Sequence, residues 1–249
     1  MNGSSSATFT TGFIAPSAHQ TGVFALAVVL GAILWVVLAT RLGLPVSTTH
    51  AIAGALVTVG AFAFGAGEVW WATLVPRVVL PLLASPFIAL AGAMLVYLLI
   101  RFTLARLAPR SMNPLHWLTS GTASFARGLN DTPKIVALGV AFFLISQHGA
   151  SFQAPYWLFA LVALGMGVGS FVGGLKVTRT LAEKVTKMDH AEGFAANLTT
   201  AVLVTFASTL GLPVSTTHVS SGAIIGIGLA PVWAGLTGGS CATWRWPRW

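Results

Sequence analysis

Apolar residues run along this chain in long blocks rather than in alternation. Thr21 to Thr40 is one such block, closed by Arg41. A second runs from about Val46 to Gly65 and ends near Glu68. Val69 to Val78 holds Trp70, Trp71 and Arg77 and reads as interfacial. A third block, Val79 to Ile100, has Pro81 and Pro86 early in it and gives way to a basic loop with Arg101, Arg106 and Arg110. Trp117 to Ser146 is apolar except for Arg127-Gly128-Leu129-Asn130-Asp131-Thr132-Pro133-Lys134 in its middle. After a short uncharged loop, Ser146 to Pro155, a fifth block spans Tyr156 to Leu175. Lys176, Arg179, Lys184 and Lys187 form a second basic loop. Phe194 to Thr209 and a last block to about Pro231 complete the pattern. Blocks of about 20 apolar residues are the length of a membrane-crossing helix, whereas barrel strands alternate over about 10.

Composition turns that pattern into a class. The chain has 249 residues, 55% hydrophobic and 7% charged, against about 25% charged in soluble domains. It cannot coat a soluble surface. The expected fold is an all-α integral membrane protein of about seven transmembrane or re-entrant helical segments. The 27 glycines and 12 prolines suit close helix packing and interrupted helices. The net charge of +8 sets topology and is no sign of nucleic-acid binding. Cys241 is the single cysteine, so no intrachain disulfide can form. Met1 to Gln20 is polar, carries no Lys or Arg, and does not read as a signal peptide.

The strongest signal is a repeat. Gly43-Leu44-Pro45-Val46-Ser47-Thr48-Thr49-His50 recurs letter for letter as Gly211-Leu212-Pro213-Val214-Ser215-Thr216-Thr217-His218. Leu42 matches Leu210, and Gly54, Ala55 and Gly60 match Gly222, Ala223 and Gly228. A 168-residue separation is too long for a solenoid, whose periods run about 20–50 residues. It is the spacing of two structural halves. In each copy the serine is a good N-cap, followed by two threonines in the first helical turn. Free N–H groups and the helix dipole make such a start an anion site, and the hydroxyls add donors.

Placing both basic loops in the cytoplasm puts Arg41 there too and Glu68 outside, with Arg77 also on the outer side. The first motif then opens from the cytoplasmic side and the second from the outer side. Inverted repeats with helix starts aimed at a midplane site are the architecture of secondary transporters. Arg127, Asp131 and Lys134 lie within a span, where ionisable groups cost about 2.5–3.5 kcal/mol each and are functional or paired. Gly128 and Pro133 flank Asn130-Asp131, so a helix break is expected there.

These two elements together resemble the PiT family of inorganic phosphate transporters, with its Gly-Ala-Asn-Asp-x-x-Asn type signature and its Gly-x-Pro-x-Ser-Thr-Thr-His motif, each once per inverted half. Gly128-Leu129-Asn130-Asp131 is similar to the signature's core, and both Pro-x-Ser-Thr-Thr-His motifs are intact. Gly173 to Gly228, and Ser85-Pro86 after the first motif, are also similar. The resemblance implies that Ser47, Thr48, Thr49, Ser215, Thr216, Thr217 and Asn130 hold phosphate. It implies that Asn130 and Asp131 take the coupling cation or the phosphate complex. Lys134 stands where the signature often has a second Asn, and its ammonium could replace a bound sodium ion. Proton coupling at Asp131 and Lys134 is therefore expected over sodium coupling. The implied function is low-affinity proton–phosphate symport, with metal–phosphate complexes accepted by similar carriers, in a bacterial inner (plasma) membrane. The implied partners are inorganic phosphate, a coupling proton or sodium ion, membrane lipid and a second copy in a homodimer, with no cofactor, no resident metal and no nucleic acid.

The chain departs from the pattern at both ends. Asn130 precedes Gly211 by 81 residues, and the same distance before Gly43 falls upstream of Met1. A truncated member, its first repeat incomplete at the N-terminus, is thus expected. The expected parts are a polar segment 1–20, a first repeat portion 21–110, a second repeat 111–231 and an atypical Trp/Arg tail 232–249. The alternatives are a carrier of sulfate or another oxyanion, an inactive fragment, an anion channel, and an intramembrane hydrolase using Ser47, His50 and Asp131. The hydrolase lacks the Gly-x-Ser-x-Gly elbow and would not need the motif twice, so the chain is not expected to be an enzyme. His50 and His218 are expected to orient their helix starts. His116 and His190, like Asp189 and Glu192, are expected at the solvated surface.

Overall fold

The computed structural model describes residues 14, 21–104, 109–146, 155–181, 188–212 and 214–236. Seven long helices account for nearly all of them. They are α1 (Gly22–Leu42), α2 (Thr48–Phe64), α3 (Trp71–Leu74, a π-helical turn Val75–Val79, then Leu80–Leu104), α4 (Pro109–Ser146), α5 (Tyr156–Arg179), α6 (His190–Thr209) and α7 (Thr216–Leu236). Among these, α1, α3 and α5 are each long and apolar enough to cross a membrane.

The repeat is written into the backbone. α1 ends at Gly43, whose φ of 71° is left-handed, and Gly211 ends α6 the same way at 69°. At the first copy Leu44 N–H donates to Ala39 and Gly43 N–H to Thr40; at the second Leu212 donates to Ala207 and Gly211 to Ser208. This double closure is the Schellman turn, which requires glycine for want of a Cβ penalty. Four residues later Ser47 and Ser215 cap α2 and α7 by accepting the His50 and His218 N–H groups. Each motif is therefore a helix stop and a helix start in eight residues, folding α1 onto α2 and α6 toward α7. Phe24 and Phe64 close the far end of the first hairpin, with ring centroids 5.2 Å apart.

Two helix pairs run parallel. α4 lies along α6, with Asn197 donating to Ser120 at 2.8 Å and Ser208 donating to Asn130 at 3.4 Å. α3 lies along α7, and its partner surface is glycine. A Cβ on Gly222 would sit 2.2 Å from the Pro86 carbonyl oxygen, and one on Gly226 would sit 2.3 Å from that of Leu90. Ala89, Ala93, Ala223 and Ala195 are buried at these seams. Without a hydrophobic drive between helices in lipid, close backbone approach over small residues supplies the packing. Large apolar side chains point the other way: Phe62 and Phe171 are exposed, and α5 has no buried residue.

The stretch read as interfacial carries the start of α3, with Pro76 inside its π-helical turn. One expectation is corrected. α4 is one helix of 38 residues through Gly128 and Pro133, not a broken one. Pro133 removes a single N–H, and the polar side chains beside it find partners outside their own backbone, so no break is needed. At the surface, His116 and His190 meet, Nδ1 to Nδ1, at 3.2 Å, and Asp189 with Glu192 forms a capping box on α6. The last helix also passes Pro231 and ends at Leu236. The loop 147–154 and residues 237–249 lie outside the described residues, as does the N-terminal segment except Ile14, which bridges Val69.

Gly54 and Gly222 occupy the same place in the two repeats, yet a Cβ on Gly54 would meet nothing within 4 Å. Gly222→Ala should lower the thermal midpoint of the detergent-purified protein by the equivalent of about 1–3 kcal/mol of overpacking. Gly54→Ala should leave it level or raise it slightly. Equal midpoints for the two variants would mean that α3 and α7 do not approach this closely.

Candidate functional site

The two motifs meet head to head. Thr49 Oγ1 donates to the Val214 carbonyl at 3.2 Å, and Thr217 Oγ1 donates to the Val46 carbonyl at 2.9 Å. These are the same hydroxyl and the same carbonyl of each copy, exchanged. Such reciprocity is the mark of a local two-fold relation. Both carbonyls belong to non-helical residues just before an N-cap, so no helix consumes them. The first intrahelical bonds run from Ala51 N–H to the Ser47 carbonyl and from Val219 N–H to that of Ser215. The N–H groups of Thr48, Thr49, Thr216 and Thr217 thus precede the ladder, and the positive ends of two helix dipoles face one region.

α4 adds the charged centre on one side of this axis. Asn130, Asp131 and Lys134 are buried, Lys134 to 1% exposure. The Lys134 ammonium donates to Thr49 Oγ1 at 2.8 Å, to the Val214 carbonyl at 3.1 Å and to Asp131 Oδ1 at 3.5 Å. Asn130 Nδ2 donates to Asp131 Oδ1 at 2.9 Å and to the Val214 carbonyl at 3.1 Å. Thr216 Oγ1 lies 3.5 Å from Asp131 Oδ2. The Val214 oxygen therefore collects three donors and Asp131 both an ammonium and two neutral donors. A buried pair is tolerable only with this degree of satisfaction. Among the described residues, every buried side-chain nitrogen and oxygen has a partner.

Most of the expected site residues come together here. Ser47, Thr49, Ser215 and Thr216 are buried, while Thr48 and Thr217 are half-buried. Arg127 does not join them; it lies on the exposed face of α4. Ser47 spends its oxygen on the His50 N–H, which further disfavours the hydrolase reading. The sequence reading missed the two valine carbonyls, which any motif of the form Val-Ser cap followed by helix leaves unpaired. It also missed Leu82. Pro86 has no N–H to give the carbonyl four residues back, and that oxygen accepts from Ser85 Oγ at 3.2 Å and from His218 Nδ1 at 3.2 Å. His218 and His50, one residue beyond the exchanged threonines, meet with ring centroids 4.5 Å apart and planes tilted by 44°.

Apolar helices of spanning length, closed around a buried polar centre made from two like helix starts, define a repeat-built multi-pass membrane carrier. The sequence model of the phosphate transporter family matches residues 2–113 and 106–248, one motif in each stretch. The chain is 31% identical over 247 residues to a "probable low-affinity inorganic phosphate transporter" of Rhizobium meliloti (strain 1021), covering 95% of this chain and 73% of that one. It is 30% identical to one of the same description from Bacillus subtilis (strain 168), covering 89% and 68%. Its fold matches the solved structure of a sodium-dependent phosphate transporter with a TM-score of 0.79, at 25% identity, covering 91% of this chain and 76% of that one. The chain belongs to the phosphate transporter family, a family of carriers and not of enzymes.

Removing one partner of the buried pair should be far worse than removing both. Lys134→Met leaves Asp131 without its counter-charge, a loss of about 3–5 kcal/mol. The Asp131→Asn/Lys134→Met double variant should recover a large part of it. Thermal unfolding of the purified variants reads this directly, and a double variant no more stable than K134M would show that the two charges do not act as a pair.

Proposed function

We propose that the chain carries inorganic phosphate across the cytoplasmic membrane, held between the two motif helix starts and coupled to a proton. The observation that carries this reading is the reciprocal exchange of Thr49 and Thr217 with the opposite valine carbonyls. Two hydroxyls that each need only rotate to redirect their hydrogens, beside free N–H groups of two helices, make a two-sided cage of donors for a tetrahedral oxyanion. Ser47, Thr48, Ser215 and Thr216 line the same helix starts, and Asn130 offers its amide from α4. The names of the relatives support phosphate over sulfate as cargo.

Proton rather than sodium coupling rests on Lys134. Its ammonium sits among three oxygens within 2.8–3.5 Å, the kind of oxygen cluster a sodium ion would need. An ammonium in that position satisfies Asp131 without an ion from solution. A metal–phosphate complex would then be held through its phosphate oxygens, since Asp131 already has its counter-charge. The two halves, each carrying one motif, are the units that would rock about the site, with the Lys176 and Arg179 end of α5 on the cytoplasmic side.

A hydroxyl donated to an anion is worth about 1.5–3 kcal/mol. Thr49→Val/Thr217→Val should therefore raise the phosphate concentration for half-maximal uptake into proteoliposomes by at least about 100-fold. Excess sulfate should not compete in the unmodified protein. Full competition by sulfate would move the assignment to oxyanions at large, and uptake that needs sodium at a fixed pH gradient would remove the proton from it.

A further inference from the structure

Resting on the proton-coupled reading above, we propose that the mobile proton is carried by the His50–His218 pair and not by Asp131. The ion pair of Asp131 with Lys134 is internally balanced, and both carboxylate oxygens are engaged by donors. Protonating Asp131 would strand a buried ammonium. The proton needs another acceptor near the motifs, and the elements around them offer few. α2 and α7 carry no titratable side chain besides His50 and His218. On α3 the neighbouring charge is Arg77, which is exposed, and α1 contributes Arg41 at its exposed end. α4 contributes Asp131 and Lys134, already paired, and the exposed Arg127. α5 contributes Lys176, which lies against Gly43 and donates to the Arg41 carbonyl, and α6 carries His190 and Glu192 at the end remote from its motif.

The geometry of the pair suits the task. The Leu82 carbonyl can only accept, so His218 Nδ1 carries the hydrogen in that 3.2 Å contact. Pro86 keeps that carbonyl free of the α3 ladder, which holds His218 in one tautomer and leaves Nε2 as its basic nitrogen. His50 is the ring with the larger exposed surface, His218 being half-buried. With centroids 4.5 Å apart and planes tilted by 44°, two imidazolium rings would repel, so the first proton on the pair disfavours a second. Each ring is one residue beyond a threonine of the reciprocal exchange. A charge arriving on the pair sits in the first turn of the two motif helices, close enough to offset part of the charge of an incoming phosphate through space. A proton leaving weakens the same hold. Binding of the anion and of the proton favour each other for this electrostatic reason.

The test uses the full chain in proteoliposomes with the membrane potential clamped at zero and a pH gradient of one unit. One proton moved per phosphate supports about tenfold accumulation under that gradient. The unmodified protein should approach that ratio, and His50→Gln/His218→Gln should reach a ratio of about one. Phosphate–phosphate exchange, which needs no net proton movement, reports whether the double variant is folded and still binds. A double variant that accumulates phosphate as the unmodified protein does overturns the proposal. Should the variant not exchange at all, the histidines are followed in the unmodified protein by nitrogen-15 NMR of the imidazoles. Addition of inorganic phosphate should then convert one of the two rings to imidazolium, and rings indifferent to phosphate overturn the proposal. The failure of the broader reading looks different: unmodified protein that accumulates phosphate only on a sodium gradient, or that neither exchanges nor accumulates it, removes proton–phosphate coupling and this role with it.

Discussion

Everything in this molecule depends on one small contact made twice. A threonine hydroxyl in the first turn of each motif helix bonds the carbonyl that precedes the other motif's N-cap. The contact works because a helix start leaves its preceding carbonyl and its first N–H groups unused, and because the two starts are identical and can satisfy each other. In lipid this is close to compulsory, since water is absent and an unpaired backbone group costs several kcal/mol. The same weakness makes it useful. Hydroxyl hydrogens turn with little cost, so a pair of them can hold the protein closed or hold an anion.

The symmetry of that contact is broken by α4, and the break is where the chemistry lies. Val214 receives Thr49, Asn130 and Lys134, whereas Val46 receives Thr217. The ammonium and carboxylate of α4 thus stand on one side of the local axis. Elsewhere the two copies are used unequally as well: Gly222 lies against the Pro86 carbonyl while Gly54 faces open space. Duplicated sequence therefore does not give duplicated environments. The first copy shapes a hairpin against α1, and the second is clamped to α3 through glycines and a histidine.

Prolines matter here less as helix breakers than as sources of free carbonyls. Pro133 leaves α4 whole, and Pro86 leaves α3 whole while releasing Leu82 to His218. A proline in a membrane helix costs one donor, and a neighbouring helix can supply it. This is why a break expected from Gly128 and Pro133 does not occur, and why the oxygens that gather at the site come from the motif valines instead.

Much was legible in the amino-acid order alone. The membrane class followed from long apolar blocks with few charges, the seven helices from their number, and the pairing of two like helix starts from eight repeated residues. The glycine stop, the serine cap and the free N–H groups are local consequences of those eight residues, so they needed no knowledge of the rest of the chain. Asn130, Asp131 and Lys134 were conspicuous because charge at membrane depth is costly. Only the tertiary structure decided that the two motifs face each other, that Lys134 reaches Thr49 across 85 positions of sequence, that Arg127 turns away, and that His50 meets His218. Such pairings depend on which helices lie side by side, and in lipid that is settled by glycine and alanine seams whose partners no periodicity reveals. The local motifs are properties of short segments; the site is a property of their meeting.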